Sequence, residues 1–354
     1  MSKILTRYLT KEVFIASIVV TFLLMLIFLS HQMVRFLSYA ASGKLASNIL
    51  LQLMGYEASY LFSLLLPLAL FLGIIWVYGG LYANNELRVM QACGLSIKKL
   101  FLQTSVLAIF ITTLVLFLML WVNPYVAKEK YDLIERGKAA NNVIDTILPG
   151  RFQVTNNGAR VIYVERLSRD HRKADNIFIA DQRLQVMSVV SAAQGYQASG
   201  LKPSDRFIVA ENGNRYEGVP GQNDYKVTQF QNYKVRMPVV ELNSKYQDEE
   251  MIPTLQLWSK YDNSANAAEF QWRLSVALSV LLLAALAIPL SQVKPRQGRY
   301  FQLFIGILIY LVYVNLLFIS REWVSKKIIP IDIGMWWIHG ALLLLIITLL
   351  VRRR

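Results

Sequence analysis

Long apolar runs fill both ends of the chain, and a polar block separates them. An α-helix needs about 20 apolar residues to cross the hydrocarbon core of a bilayer. Six runs have this length, so the pattern predicts three spans, an inserted domain and three further spans. The runs cover residues 13–30, 56–82, 100–122, 274–291, 301–320 and 333–351.

The polar block changes to a pattern of short alternating segments between residues 151 and 242. Eight or nine strands are predicted there, among them residues 185–191, 195–198, 206–210 and 214–217. Asn-Gly pairs at residues 157–158 and 212–213 are the strongest hairpin signals. Regularly spaced short strands indicate a sandwich, jelly roll or barrel. Residues 125–140 and 263–273 are predicted as helical flanks.

These patterns predict a membrane α-helical protein, with six transmembrane helices in a 3+3 arrangement and an all-β, jelly-roll-like domain between helices 3 and 4. Residues 1–122 would hold an N-terminal interfacial helix, spans 1–3 and a loop at residues 83–99. Residues 123–272 would form the β domain with its flanks, and residues 273–354 spans 4–6. Residues 2–12 form either a short amphipathic helix lying on the membrane or an ordinary basic flank. The first apolar run is too long for a signal peptide, and no small-residue cleavage site follows it.

Composition and charge support a membrane class and give its orientation. The chain is 55% hydrophobic and only 17% charged, with a mean hydropathy of +0.38. Of its net charge of +14, only +2 lies in the polar block, since residues 123–273 contain 20 basic and 18 acidic residues. This distribution argues against nucleic-acid binding. Twelve basic residues fall on one side of the six alternating spans and five on the other, which predicts cytoplasmic termini and a β domain on the external side.

The sequence lacks the residue patterns of several common catalytic sites. His31, His171 and His339 are far apart, and none is paired with another histidine or a cysteine at metal-ligand spacing. The sequence has no P-loop and no G-x-S-x-G motif. No cofactor or metal is expected, and any ATP-driven work must come from another subunit. The single cysteine, Cys93, leaves the β domain without a disulfide.

The most informative segment is the polar break between the second and third apolar runs. Residues 85–96 read NELRVMQACGLS and place a carboxylate, Glu86, at the start of a short helical stretch. An acidic side chain is favourable at a helix start because of the helix dipole. This loop is predicted to be a cytoplasmic binding site for a soluble partner protein.

These residues resemble the lipopolysaccharide export permeases, the LptF/LptG family. The resemblance rests on residues 85–96, on QWRL at 271–274, on PLS at 289–291 and on PRQGR at 295–299, in this order and within the 3+3 arrangement. It implies a transmembrane permease subunit of an ABC-type exporter in the inner membrane of Gram-negative bacteria. The subunit would extract lipopolysaccharide and pass it through its periplasmic β domain towards the outer membrane. Implied partners are an LptG-like paralogous permease, a dimer of the ATPase LptB, the single-span protein LptC and a periplasmic bridge of jelly-roll proteins.

The resemblance also implies roles for particular residues. Glu86 would dock in a groove of the ATPase, and closure of the ATPase would push this helix and shrink a lipid cavity. The implied residues are Glu86, Arg88, Met90, Ala92, Cys93 and Gly94 for ATPase coupling; Arg35, Lys44, Arg321 and Lys326 for the lipid head group; Phe28, Phe62, Leu66, Phe71, Phe304, Leu308 and Leu311 for an acyl-chain cavity; and Val161, Tyr163, Ile177, Ile179, Phe207 and Val209 for the lipid path in the jelly roll.

Other readings of the same residues stay open from sequence. The alternative for Glu86 is a solvated loop charge, for Arg35 an interfacial side chain that extends towards water, and for the β-domain residues a dry core. The rival function is a non-transport membrane scaffold or sensor whose periplasmic β domain binds a partner or glycan. That rival predicts no tight ATPase partner and no role for Glu86.

Overall fold

A computed structural model of the chain describes residues 2–41, 47–140, 149–155, 160–168, 173–183, 186–199, 206–222, 224–236, 247–292 and 299–352. The chain divides into two compact units. The first is helical and comprises Met1–His31, Met54–Glu129 and Lys245–Arg354. The second comprises Gln32–Leu53 and Lys130–Ser244 and contains the β-sheet.

The helices follow the predicted apolar runs and extend beyond most of them. A five-residue π-helical segment, Leu118–Val122, lies between α4 and α5. The helices of the described residues are α1 Ser2–Ala41, α2 Leu50–Ala83, α3 Glu86–Ala92, α4 Ile97–Phe117, α5 Asn123–Ala140, α6 Gln247–Glu250, α7 Thr254–Ser259, α8 Ser264–Leu290, α9 Arg299–Ser325 and α10 Trp336–Arg352.

Five stretches of helix are long and apolar enough to cross a membrane, and α10 is a sixth, shorter apolar helix. With 17 residues, α10 is near the lower limit of about 17 for a span. It begins later than the predicted run because Gly334, at φ +48°, lies in a turn before it. The prediction of a helical membrane protein is confirmed. The five stretches are Ile4–Ala40, Leu50–Ala83, Ile97–Ile134, Ser264–Leu290 and Phe301–Ser325.

The N-terminal residues do not form a separate interfacial helix. Helix α1 runs unbroken from Ser2 to Ala41. Leu9 and Val13 are buried in the helical core, and the Gln103 amide donates a hydrogen bond to Thr6 Oγ1 at 2.8 Å. Apolar contacts on one face of this segment therefore hold it as the continuation of the first span.

Small residues allow the spans to pack closely. A Cβ atom at Gly73 of α2 would lie 2.6 Å from Ser17 Oγ of α1, and one at Gly306 of α9 would lie 2.7 Å from Ile75 Cδ1. Close approach at small residues is a common way for helices to associate in lipid, where the hydrophobic effect between them is absent.

The inserted all-β domain is confirmed; the described residues form six strands, five of them 8–14 residues long, in place of the eight or nine short ones predicted. The described strands form one antiparallel sheet in sequential order. Two neighbouring predicted strands, such as 206–210 and 214–217, form one continuous strand in the structure. Residues 212–213 therefore lie inside a strand and do not form a hairpin. Residues 157–158 lie outside the described residues. The strands are β1 Gln153–Thr155, β2 Arg160–Leu167, β3 Lys173–Arg183, β4 Val186–Ser199, β5 Arg206–Gly218 and β6 Lys226–Arg236.

A transverse crease crosses this sheet. Backbone pairing is interrupted at the same level in the ladders from β2 to β6. Asn176 and Asn212, at φ 50° and 51°, occupy this level. The alternation of buried and exposed side chains shifts by one residue there. Ala174 and Ile177 of β3 are both buried although they are three residues apart, whereas regular alternation would place them on opposite faces. The crease therefore keeps one continuous apolar face on both sides of a bend. Its level is defined by Glu165, Asn176, Ala193, Asn212 and Gln231.

Candidate functional site

The predicted binding site for a soluble partner is the two-turn helix α3, which packs against the helical core through one side only. Leu87 of α3 and Leu95 just after it are buried in the helical core, and Met90 packs against that core. Glu86 and Val89 are exposed on the opposite side. Helix α3 therefore presents a carboxylate on a surface whose backbone is held firmly. Further exposed residues at its C-terminal end are Ala92, Cys93 and Gly94.

Polar side chains fix the start of α3. Asn85 adopts a left-handed conformation at φ 61° and carries the chain from α2 into α3. The Arg88 guanidinium donates to Asn85 Oδ1 at 2.7 Å, and the Asn84 amide donates to Glu86 Oε1 at 3.2 Å. Arg88, predicted to contact the partner, thus also stabilises the turn that positions Glu86.

The end of α3 requires a glycine. Gly94 has φ +98°, and its N–H donates to the carbonyl of Gln91 at 3.0 Å. The Leu95 N–H donates to the Met90 carbonyl, also at 3.0 Å. This is the Schellman arrangement, in which a left-handed residue ends the helix and satisfies its last carbonyl groups. Cys93, the C-cap residue, is exposed beside it.

A buried ionic cluster lies at the opposite end of the spans, and the sequence analysis did not predict it. Arg273 Nε donates to Glu269 Oε1 at 2.7 Å, and Arg321 Nη2 donates to the other oxygen of Glu269. Arg321 also contacts Glu250 Oε1 at 3.3 Å and lies over the Trp272 ring, 5.1 Å from its centroid. The two arginines and two glutamates balance in charge. Arg321 was predicted to bind the lipid head group; the structure instead buries it against these carboxylates, which leaves no accessible face for a phosphate.

Arg273 also holds the segment that leads into α8. Its guanidinium donates to the carbonyl of Ile252 at 3.1 Å and to Thr254 Oγ1 at 2.9 Å. The Thr254 hydroxyl donates in turn to the carbonyl of Leu120 at 2.6 Å. Leu120 belongs to the π-helical segment, and such segments depart from the usual hydrogen-bond spacing of the α-helix. Further bonds from Arg273 reach the carbonyls of Glu249 and Glu250.

A histidine joins the last three spans. His339 of α10 lies between Tyr313 of α9, at 2.9 Å from Nδ1, and Ser275 of α8, at 3.0 Å from Nε2. Both ring nitrogens thus have partners in the helical interior. This arrangement links the three spans through hydrogen bonds.

Comparison with known proteins decides the family. The model of the family described as lipopolysaccharide export system permease LptF/LptG matches residues 7–352. The chain belongs to the LptF/LptG family. The lipopolysaccharide export system permease protein LptF of Escherichia coli K12 is 30% identical over 349 residues, covering 98% of this chain and 94% of the relative. LptF of Shigella flexneri shows the same identity and coverage.

The permease is therefore a multi-pass protein of the inner membrane, and a transporter subunit rather than a catalytic enzyme. The structure divides its predicted acyl-chain residues into two groups. Phe304, Leu308 and Leu311 share one exposed stripe of α9, and Phe28 is exposed on α1. The remaining three, Phe62, Leu66 and Phe71, belong to α2, where Leu66 and Phe71 are buried.

The other predicted head-group residues are placed differently from Arg321. Arg35 of α1 is exposed. Lys326 is 60% exposed and forms a surface ion pair with Glu322 at 3.0 Å. Lys44 lies outside the described residues.

The predicted lipid-path residues of the sheet do not share one face. Ile177 and Ile179 belong to the buried apolar cluster, together with Ile162 of the neighbouring strand. Val161 and Tyr163 alternate with Ile162 and therefore project from the opposite face. Phe207 and Val209 likewise alternate with the clustered Ile208 and Ala210.

Proposed function

We propose that this permease subunit works in an ABC-type exporter that extracts lipopolysaccharide from the inner membrane, with ATP hydrolysis on a separate LptB-like subunit. Membership of the export-permease family supports the transport role. The sequence contains no P-loop, so ATP must be bound elsewhere. A paralogous LptG-like permease, LptC and a periplasmic bridge of jelly-roll proteins complete the proposed assembly.

The observation that carries the ATPase proposal is the one-sided anchoring of α3. Leu87 and Leu95 hold the helix to the spans, while Glu86 and Val89 remain exposed. A carboxylate at this position can accept charge-assisted hydrogen bonds from an arginine of the partner. A push on α3 would reach α2 and α4 directly, because the turns on both sides of α3 are short and internally hydrogen-bonded.

The proposed lipid route uses the exposed surfaces of the permease. Acyl chains would contact the α9 stripe containing Phe304, Leu308 and Leu311, together with Phe28 of α1. Arg35 and Lys326 are the exposed head-group candidates. Arg35 is the stronger of the two, since a guanidinium can form a forked contact with phosphate. In the β domain, the apolar cluster around Ile162, Ile177 and Ile179, which is buried in the isolated chain, is proposed to line the lipid path.

Cys93 offers a direct test because it is the only cysteine and lies at the end of α3. A membrane-impermeant maleimide should label it from the cytoplasmic side of inverted vesicles containing the permease without LptB. Adding LptB should protect it. A cysteine at Ser38 in a Cys93→Ser background serves as the control, which should be labelled only from the other side and should not be protected. Undiminished labelling of Cys93 in the presence of bound LptB would contradict the α3 assignment, and labelling from the wrong side would contradict the orientation.

A further inference from the structure

Helix α7 presents an apolar face that no described residue covers. Leu255 and Trp258 are three residues apart, so they project from the same side of the helix. They are 84% and 62% exposed. Leu257, on the other side, is fully buried. The helix is thus anchored to the helical unit through one face and directs a leucine and a tryptophan outwards.

Helix α4 gives a first measure of where this face lies relative to the bilayer. The span begins after Lys98 and Lys99, which mark one membrane surface. About 20 residues at a rise of roughly 1.5 Å cross the hydrocarbon core of about 30 Å. Counting from Leu100 reaches the level of Leu120. The first residue of α7, Thr254, donates its hydroxyl proton to the Leu120 carbonyl at 2.6 Å, so α7 begins at the far boundary of the core.

Helix α8 gives a second, independent measure. It runs in the opposite sense and ends at Leu290. Counting back about 20 residues reaches the level of Gln271. The neighbouring residue, Phe270, packs against Trp258 with ring centroids 5.2 Å apart. Both spans therefore place α7 at the same boundary.

From this position we propose that α7 is an in-plane membrane anchor, with Leu255 and Trp258 inserted among the lipids of the leaflet opposite the basic loops. Tryptophan is enriched at this depth, because its ring is apolar and its N–H can reach water or polar head groups. The aromatic side chains of Phe117 and Trp121, which flank Leu120 in the sequence, are also exposed at this level of the spans. The exposed Lys260, just beyond α7, can extend towards lipid phosphates. The anchor would hold the point at which the chain returns from the β domain into the spans.

Spin-label accessibility tests this proposal without reference to the ATPase. The full chain carries Cys93→Ser and one new cysteine, either Leu255→Cys or the matched Gln256→Cys on the same helix, where Gln256 is exposed but turned away from Trp258. Each labelled protein is reconstituted in nanodiscs with the subunits that co-purify with it. Collision rates are then measured with oxygen, which concentrates in lipid, and with a water-soluble nickel chelate.

The ratio of oxygen to nickel collisions should be several-fold higher at position 255 than at position 256, and Trp258→Cys should behave like position 255. Equal nickel accessibility at 255 and 256 would place α7 in water and overturn the proposal. Low accessibility to both reagents at 255 would show a protein partner on this face and overturn it as well. None of these outcomes depends on whether α3 binds an ATPase, so either proposal can be refuted without affecting the other.

Discussion

Removal of Arg273 should destabilise the permease far more than removal of an exposed basic residue at the same end of the spans. Arg273 is only 2% exposed and makes five hydrogen bonds, to Glu269, Thr254 and three backbone carbonyl groups. Breaking a buried ion pair by deleting one partner costs about 3–5 kcal/mol. Glu269 would keep Arg321 as a partner, so we expect Arg273→Met to fall near the lower end, about 3 kcal/mol.

Two further variants separate charge from geometry. Arg273→Lys keeps the charge but has three donors in place of the guanidinium fork, so some acceptors lose their partner at about 1–3 kcal/mol each. We expect a loss of about 2 kcal/mol. Lys326→Met removes an exposed ion pair with Glu322 and should cost no more than about 0.5 kcal/mol.

The assay is the free energy of unfolding in bicelles, measured by steric trapping for the four proteins under one condition. The order of stability should be wild type, then Lys326→Met, then Arg273→Lys, then Arg273→Met. Equal stability of the Arg273→Met and Lys326→Met variants would refute the view that the buried cluster holds this end of the spans together.

Three glycine and asparagine positions give further predictions. Gly94→Ala should destabilise the end of α3 by about 1–2 kcal/mol, because φ is positive there, and the amide exchange of Leu95 should accelerate. Gly94→Asn should have a smaller effect. Equal exchange in the wild type and the Ala variant would contradict the Schellman arrangement at the end of α3. Gly73→Leu should lower the melting temperature in detergent, since its Cβ would lie 2.6 Å from Ser17 Oγ, whereas Gly55→Leu, with open space around its Cβ, should not. Asn212→Val should destabilise β4 and β5 by about 1–3 kcal/mol, because φ is positive at Asn212, while Asn212→Gly should be tolerated. Amide exchange in the two strands measures both effects. Tolerance of valine would argue against the crease.

Sequence patterns predicted those parts of the fold that depend on short-range periodicity. The apolar runs located the spans, and the polar break with Glu86 located α3. The resemblance to the export permeases assigned α3 its expected partner. Gly94 was predicted only as part of the ATPase-coupling segment, and its role as a left-handed helix end required the backbone angles.

The strand count could not be read from the sequence, because the crease mimics a turn. Asn212 with Gly213 has the composition of a two-residue hairpin, yet both lie inside β5, where a single left-handed residue bends the strand and preserves pairing on either side. Val161 and Val209, predicted to line the lipid path, alternate with Ile162 and Ile208 and therefore project from the face opposite the apolar cluster, although Val209 is itself buried there.

The ionic cluster was missed for a different reason. Glu269 and Arg273 are four residues apart at the start of a span, which favours an ion pair on one helical face, but Arg273 was counted with the polar block and Arg321 with the lipid-facing rim. Arg321 meets Glu269 only through the packing of α8 against α9, because the two residues are 52 positions apart in sequence. Ionisable residues within spans usually have buried partners, but Glu269, Arg273 and Arg321 lie just outside the predicted runs 274–291 and 301–320, so the apolar pattern did not bring them under that rule.

The measurement that tests the central claim most directly compares wild type, Glu86→Gln and Arg88→Gln permeases in nanodiscs with LptB, the paralogous permease and LptC. ATPase activity and ATP-dependent release of lipopolysaccharide are read on the same samples. Glu86→Gln removes the charge and keeps the shape, so we expect it to weaken LptB binding or abolish ATP-dependent release, while folding is unchanged by thermal melt. Arg88→Gln, which affects the turn as well, should show an intermediate loss. Wild-type LptB binding and wild-type release in Glu86→Gln would contradict the assignment of α3 as the link between the ATPase and the spans.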